Sequence, residues 1–333
     1  MLKQDSFDTK PKVKKNRLNI LPPNPEEKED KKAVGPGRFP SWLHRNLPKG
    51  KNLWNTSDIL EGNRLHTVCE EAKCPNLLEC WSKKTATFLI MGNECTRACG
   101  FCDIDFSKTP RPLEEDEPYR VADSVKRLGL KHVVITMVAR DDVSDQGASH
   151  IVAVINEVRK ERPDCTVEVL TSDFNGDMSA LETVLAVEPE IFNHNIETVR
   201  ALTPRVRHKA TYERTLSVLQ YAQQYAEKNG TSTLVKSGLM VGLGETPEQV
   251  EETISDLKEH GCAVITIGQY LQANHKKLLV KEFVHPDIFK RYENFGYEQG
   301  VSYMYSGPFV RSSYNANLVI EKAHQKRATI NST

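Results

Sequence analysis

The sequence predicts an α/β protein: a partial, open parallel β/α barrel of about six βα units, with N-terminal and C-terminal extensions covering the open side. Three observations predict it. From residue 87 onward, short β-rich runs alternate with helix-length stretches that carry apolar residues at i, i+3 and i+4. One helix has both of its ends written in the sequence and is followed at once by a buried strand. The number of such units is nearer six than the eight of a closed barrel.

Taken in order, residues 1–40 are polar, rich in Lys, Glu and Pro, and read as a flexible tail. Pro40, Trp42, Leu43 and Leu47 are the first residues expected to dock. Residues 41–86 form an N-terminal extension that carries three cysteines. The barrel is expected over 87–300, with strands at Thr87–Met91, His132–Thr136, Thr166–Thr171, Ile191–Asn195, Thr233–Val241 and Ala263–Gly268. Ser302–Ser306 offers one more strand, inside a C-terminal extension over 301–333. The well-marked helix starts at Thr246 as N-cap, with Pro247 at N1 and Gln249 completing a capping box. Val250, Ile254 and Leu257 share its inner face, and Gly261 ends it. Ala263 to Ile267 then reads as a buried strand. In such an architecture chemistry gathers at the C-terminal ends of the strands.

Composition excludes several classes. The chain has 333 residues, 38% apolar and 27% charged, as a globular protein does. Lys plus Arg equals Asp plus Glu, 45 against 45, so long-range attraction to nucleic acid or to an anionic membrane is not expected. No apolar run approaches the ~20 residues of a membrane span. The N-terminus lacks the apolar stretch of a signal peptide, and a cytoplasmic location is expected.

Six of the eight cysteines fall between Cys69 and Cys102. Clustered thiols in a reducing compartment bind metal more often than they form disulfides. Cys165 and Cys262 stand apart and read as buried bystanders. Directly after the first barrel strand comes Gly92-Asn93-Glu94-Cys95-Thr96-Arg97-Ala98-Cys99-Gly100-Phe101-Cys102, a C-x3-C-x2-C spacing. Three thiolates hold three irons of a 4Fe–4S cluster and leave the fourth open, which marks a reactive metal. A structural zinc module would favour paired C-x2-C units and a closed set of four ligands. The motif resembles that of the radical S-adenosylmethionine (SAM) superfamily, including Phe101 before the last cysteine. The resemblance implies that SAM binds the open iron and is cleaved there to a 5′-deoxyadenosyl radical, with the protein positioning reactants and excluding water.

A second group lies upstream, Cys69-Glu70-Glu71-Ala72-Lys73-Cys74-Pro75-Asn76-Leu77-Leu78-Glu79-Cys80-Trp81, or C-x4-C-x5-C. It too is one thiol short of four, so a donor must come from elsewhere in the chain. The segment resembles the auxiliary-cluster motif of the lipoyl synthases. In that family a serine of a C-terminal R-S-S-Y segment completes the ligands, and Arg311-Ser312-Ser313-Tyr314 is present here. The resemblance implies Ser313 as the ligand, ahead of Ser312. It extends over residues ~40–320 through Arg140-Asp141-Asp142, Phe192 to Thr198, Lys236 to Thr246, and Gly268 to Gln272. The glycine-rich stretch is not a P-loop, because no Gly-Lys-Ser/Thr follows. Asn195 and Glu197 are candidate partners for SAM, and His194 reads as structural.

The resemblance implies two 4Fe–4S clusters, one on Cys95, Cys99 and Cys102 and one on Cys69, Cys74, Cys80 and Ser313. The first generates radicals from SAM that abstract hydrogen at C6 and C8 of an octanoyl chain. The second donates the two sulfurs and is consumed. Implied partners are octanoylated lipoyl carrier domains of 2-oxoacid dehydrogenase acyltransferase subunits and the glycine cleavage carrier protein. An electron donor and an iron–sulfur carrier that rebuilds the spent cluster are implied as well, but no nucleic acid and no membrane. Lys12, Lys14, Lys15, Arg17, Lys49, Lys51, Lys83, Lys84, Lys276 and Lys277 are candidate contacts for an acidic carrier. This chain departs from the family pattern at Ala98 and Gly100, at Met137-Val138-Ala139, and over Gln272 to Lys277. None of these removes a cluster ligand.

Overall fold

Strand pairing follows chain order across a single eight-stranded sheet. Its strands are β1 (His66–Thr67), β2 (Thr87–Ile90), β3 (His132–Met137), β4 (Thr166–Leu170), β5 (Ile191–Asn193), β6 (Leu234–Val241), β7 (Val264–Gln269) and β8 (Tyr303–Gly307). The computed structural model describes residues 38–44, 52–82 and 87–313. The expected tail over 1–37, Leu47, Lys49, Lys51, Lys83, Lys84, and Tyr314 onward lie outside the described residues.

Parallel pairing runs from β2 to β8, and β1 joins β2 antiparallel. Among the described residues the two ends of the sheet do not pair with each other, so the barrel is open. Helices α1 (Asn52–Gly62), α2 (Val68–Glu71) and α3 (Leu77–Ser82) precede β2. The crossovers are α4 (Glu117–Leu128), α5 (Ala148–Glu161), α6 (Met178–Leu185), α7 (Thr203–Val206) with α8 (Tyr212–Asn229), α9 (Pro247–Glu259) and α10 (Pro286–Glu298). Six βα units are therefore present, as the sequence predicts. Parallel strands need such helical crossovers to reach the next register.

The strands form because β-branched residues alternate with residues of the barrel interior. Val133 and Ile135 of β3, Val167 and Val169 of β4, and Ile265 and Ile267 of β7 face outward and are buried in one apolar cluster with the helices. Each such side chain contributes about 1.5–3 kcal/mol on burial. Helix α9 keeps its predicted N-terminus: Thr246 accepts from the Gln249 amide at 3.4 Å, and the Gln249 side chain accepts from the Thr246 amide at 3.0 Å. Gly261 follows at φ 91°, a conformation that an L side chain adopts only with strain.

The interior of the barrel holds a charged pair. Lys236 of β6 lies 2.9 and 3.0 Å from the two carboxylate oxygens of Glu168 in β4, and Asn193 of β5 donates to Glu168 at 2.9 Å. Both charged residues are almost wholly buried. Burial pushes the Glu168 carboxyl up, but the Lys236 ammonium and His132 together outweigh it and hold the carboxyl below its ordinary value. Two features differ from expectation. β5 stops at Asn193, because the chain then turns to place Glu197 at φ 67°. The extension before the barrel adds β1 to the sheet, a two-residue strand too short to carry a periodicity of its own.

Candidate iron–sulfur active site

One cavity of about 870 Å³ opens at the C-terminal ends of the barrel strands. Its wall includes residues that follow β3 (Val138, Ala139), β4 (Thr171 to Asp173), β5 (His194, Asn195, Glu197) and β7 (Tyr270 to Ala273). All six clustered cysteines line it, with Ser312 and Ser313. The two groups of thiols, far apart in spacing rules, thus share one chamber.

Cys95, Cys99 and Cys102 ride on the segment after β2, where Glu94–Cys95 pairs in parallel with Asp105–Phe106 apart from the main sheet. The loop is clamped from both sides: the Gly100 amide donates to the Val206 carbonyl at 2.9 Å, and the Leu278 amide donates to the Gly100 carbonyl at 3.0 Å. A Cβ on Gly100 would come within 3.0 Å of the Leu278 side chain. This explains one departure from the family pattern, since Leu278 takes the space that a larger residue at 100 would need. Arg97 anchors the same loop. It makes a bidentate bond to Asp141, with contacts of 2.6 and 3.0 Å, and reaches Asp173 at 2.6 Å. Burial opposes the charge on both carboxyls, yet Arg97 holds Asp141 and Asp173 below their ordinary values.

Cys69 lies in α2, Cys80 in α3, and Cys74 between them. Thr67 caps α2 by accepting from the Glu70 amide, while the Cys74 amide donates to the Cys69 carbonyl at 2.9 Å. Lys73 sits 2.6 Å from Asp103, the residue after Cys102, and so ties the two cysteine loops together. Asn274 also bonds Asp103.

The thiol donors suit iron–sulfur ligation. Burial pushes the thiols of Cys69 and Cys102 up to about 12 and that of Cys99 up to about 11, with neighbouring thiols adding to the effect in each triad. Such thiols stay protonated without a cation and become thiolates when iron binds and releases their protons. Among the described residues, no three Cys, His, Asp or Glu side chains close around a point where a single metal ion would sit.

Beside the first triad lies a polar corner. Glu197 is half-buried in the cavity wall, and desolvation raises its carboxyl above the ordinary value against the opposing charge of Arg207. Asn195 donates to Glu197 at 3.1 Å, and Arg207 donates to the Asn195 carbonyl at 2.7 Å. The Glu197 amide donates to the Gly238 carbonyl and the Met240 amide to the Glu197 carbonyl, both at 2.9 Å, which fixes the corner to β6. Asn195 Oδ1, Thr171 Oγ1 and Arg207 Nε are buried without a protein partner. Buried polar atoms left in this way call for a ligand or water. His194 does not join them: its two ring nitrogens bond the Thr171 carbonyl and Thr215. Burial lowers its pKa to about 4, so it is neutral. Cys165 and Cys262 are buried in the core, away from the cavity.

Sequence reasoning did not single out Asp173 or Arg207, or the role of Arg97. Their signal is only in three dimensions: Arg97 meets carboxylates 44 and 76 residues away.

The fold and the cysteine loop define a radical SAM protein, and a model of the radical SAM superfamily matches residues 89–257. A model of the N-terminal domain of lipoyl synthase matches residues 8–74. A lipoyl synthase of Protochlamydia amoebophila is 67% identical over 319 residues, covering 96% of this chain and 98% of its own. One from Chlamydia trachomatis serovar L2 is 47% identical, covering 92% and 97%. Among solved structures, SuiB of Streptococcus suis bound to S-adenosylmethionine superposes with a TM-score of 0.52 at 12% identity. It covers 69% of this chain, which spans about half (53%) of that longer one, and shares the fold. The chain belongs to the lipoyl synthase family, the radical SAM sulfurtransferases. Among the described residues, no helix is long and apolar enough to cross a membrane.

Proposed function

We propose that this chain inserts two sulfur atoms, at C6 and C8, into an octanoyl chain carried on a lysine of a lipoyl carrier domain, using two 4Fe–4S clusters held by separate ligand sets. The observation that carries the two-cluster reading is the single cavity lined by both cysteine triads and by Ser313. Cys95, Cys99 and Cys102 hold one cluster, and Cys69, Cys74, Cys80 and Ser313 hold the auxiliary one. When bound, the first cluster with SAM supplies the hydrogen-abstracting radical, and the auxiliary cluster supplies the sulfur.

The chain's own residues do the positioning. Asn195 and Glu197, braced by Arg207, present a carboxylate and an amide oxygen to the polar groups of SAM beside the first triad. Arg97 keeps the cysteine loop from shifting by tying it to two other strand ends. The Lys73–Asp103 pair holds the two loops at one separation, so that one extended acyl chain meets both centres. A serine oxygen binds iron less firmly than a thiolate, so Ser313 is the ligand suited to leave as sulfur is withdrawn. In this reading residues 41–86 carry the auxiliary site, 87–300 the barrel, and 301–333 the serine ligand. Lys276, which is exposed, and Lys277 follow the cavity-lining residues Leu271 to Ala273 closely in the chain and suit an acidic carrier domain. An electron donor and an iron–sulfur carrier complete the cycle, in the cytoplasm.

The test is anaerobic purification with iron and sulfide counts, followed by incubation with an octanoylated carrier peptide, SAM and reductant. About eight irons per chain and a peptide heavier by two sulfurs are expected. About four irons, with 5′-deoxyadenosine formed but no sulfur in the peptide, would sink the two-cluster reading.

A further inference from the structure

The auxiliary thiols and Ser313 come from opposite ends of the chain, and something must register one on the other. After β8 the chain turns, the Val310 amide donating to the Gly307 carbonyl at 3.0 Å, and doubles back across the end of β7. There the Val310 carbonyl sits where a Cβ on Gly268 would be, so the crossing exists only because residue 268 has none. Arg311 donates to the same carbonyl at 2.7 Å and stiffens the turn.

A second hold on this segment is Asn76. Its side-chain amide donates to the Phe309 carbonyl at 2.7 Å, a bond between residues 233 apart in sequence. Asn76 is 1% exposed and stands between Cys74 and Cys80. Its own carbonyl accepts from the Cys80 amide at 2.9 Å. One residue is therefore bonded through its backbone to a cysteine of the auxiliary loop and through its side chain to the segment that ends in Arg311-Ser312-Ser313.

We propose that Asn76 is a positioning residue that registers the Ser313 segment on the auxiliary three-cysteine loop, with Gly268 supplying the room for that segment to cross. The proposal rests on Ser313 as the fourth ligand. Asn76 lies in the cavity wall, and its side-chain amide is turned to Phe309, through which it acts on where the serine oxygen stands. A carboxylate of the same size at position 76 cannot donate, and it would face the Phe309 carbonyl with two acceptors. A methyl at position 268 would push the Val310 carbonyl away from the opposite side.

The test uses the full chain carrying Cys95→Ala, so that only the auxiliary cluster is reconstituted. Asn76→Asp, Asn76→Ala, Gly268→Ala and Ser313→Ala are added singly. Two properties are read: the rate at which an iron chelator strips the cluster, and the paramagnetic resonance spectrum of the reduced cluster. Losing one buried hydrogen bond should speed iron loss roughly tenfold. Asn76→Asp and Gly268→Ala are expected to do so, and to move the spectrum toward that of Ser313→Ala. A purely structural role for Asn76 would lower folding yield and leave the spectrum of the folded fraction unmoved, which would overturn the proposal. Should Ser313→Ala differ from the parent while Asn76→Asp and Gly268→Ala match it, the serine reading stands and the positioning role falls. Should Ser313→Ala itself match the parent in both properties, the serine reading falls, and the proposal with it. Gly268→Ala keeps the question answerable if neither Asn76 variant folds.

Discussion

Glu197 is a carboxylate in a place that disfavours its charge. Burial raises its pKa, and only Arg207 and Asn195 offset that cost. Held at φ 67° by two backbone bonds to β6, it has little freedom to turn away from the cavity. A ligand with a cationic group at this corner would form a charge-assisted hydrogen bond worth about 1.5–3 kcal/mol. Glu197→Gln keeps the shape and the Asn195 contact but not the charge, so SAM should bind roughly 10- to 150-fold more weakly. Equilibrium dialysis with labelled SAM measures this, and an affinity within twofold of the parent would remove Glu197 from the binding site. At this scale the sequence is uneven. Six cysteines declare themselves because a thiol cluster has few other uses. Glu197 is nameable only through its neighbours in Asn193-His194-Asn195-Ile196-Glu197. Arg207 and Asp173 carry no local signal at all, because Asp173 gains its meaning from Arg97, 76 residues away, and Arg207 from Asn195 across the turn after β5.

Among the elements, β4, β5 and β6 reveal a different compromise. Their outward residues are mostly apolar, as any packed strand requires, while Glu168 turns inward and accepts from both Asn193 and Lys236. Breaking a buried ion pair by removing one partner costs about 3–5 kcal/mol, since the survivor is left as an unpaired charge. Glu168→Gln should therefore lower the melting midpoint of the anaerobic holoenzyme by at least about 6 °C. The double variant Glu168→Leu with Lys236→Met should recover most of that loss, because apolar residues of similar volume replace such pairs at little cost. A midpoint for Glu168→Gln that stays within the error of the parent would mean that the Lys236 ammonium finds water or another partner. The strands themselves were legible as β-branched runs, and α9 to its capping box, because those signals are local. The short β1 was not, since two residues become a strand only by pairing with Leu89 and Phe88. Nor was the polar layer inside the barrel, because Glu168 sits in Thr166-Val167-Glu168-Val169-Leu170 as any solvent-facing strand residue would.

Across the whole molecule, two cysteine triads with separate anchoring line one cavity. The Cys95 triad hangs on a loop clamped by Val206, Leu278 and the Arg97 carboxylate pairs, all of them barrel contacts. The Cys69 triad is carried by α2, α3 and the turn between them, and its closest link to the first is the Lys73–Asp103 pair. Damage to one set should leave the other loaded, and each should control a different product. Cys95→Ala should retain about four irons and form no 5′-deoxyadenosine, because the open-site cluster is gone. Cys69→Ala should also retain about four irons, yet still cleave SAM while the carrier peptide gains no sulfur. Iron analysis, nucleoside chromatography and peptide mass spectrometry on the two variants read all three quantities from one preparation each. If either variant loses all of its iron, the two sets assemble as one unit through the Lys73–Asp103 link, and their independence is wrong. If Cys69→Ala still yields a sulfur-bearing peptide, the inserted atom comes from somewhere other than the auxiliary site, and the division of labour between the two triads fails with it.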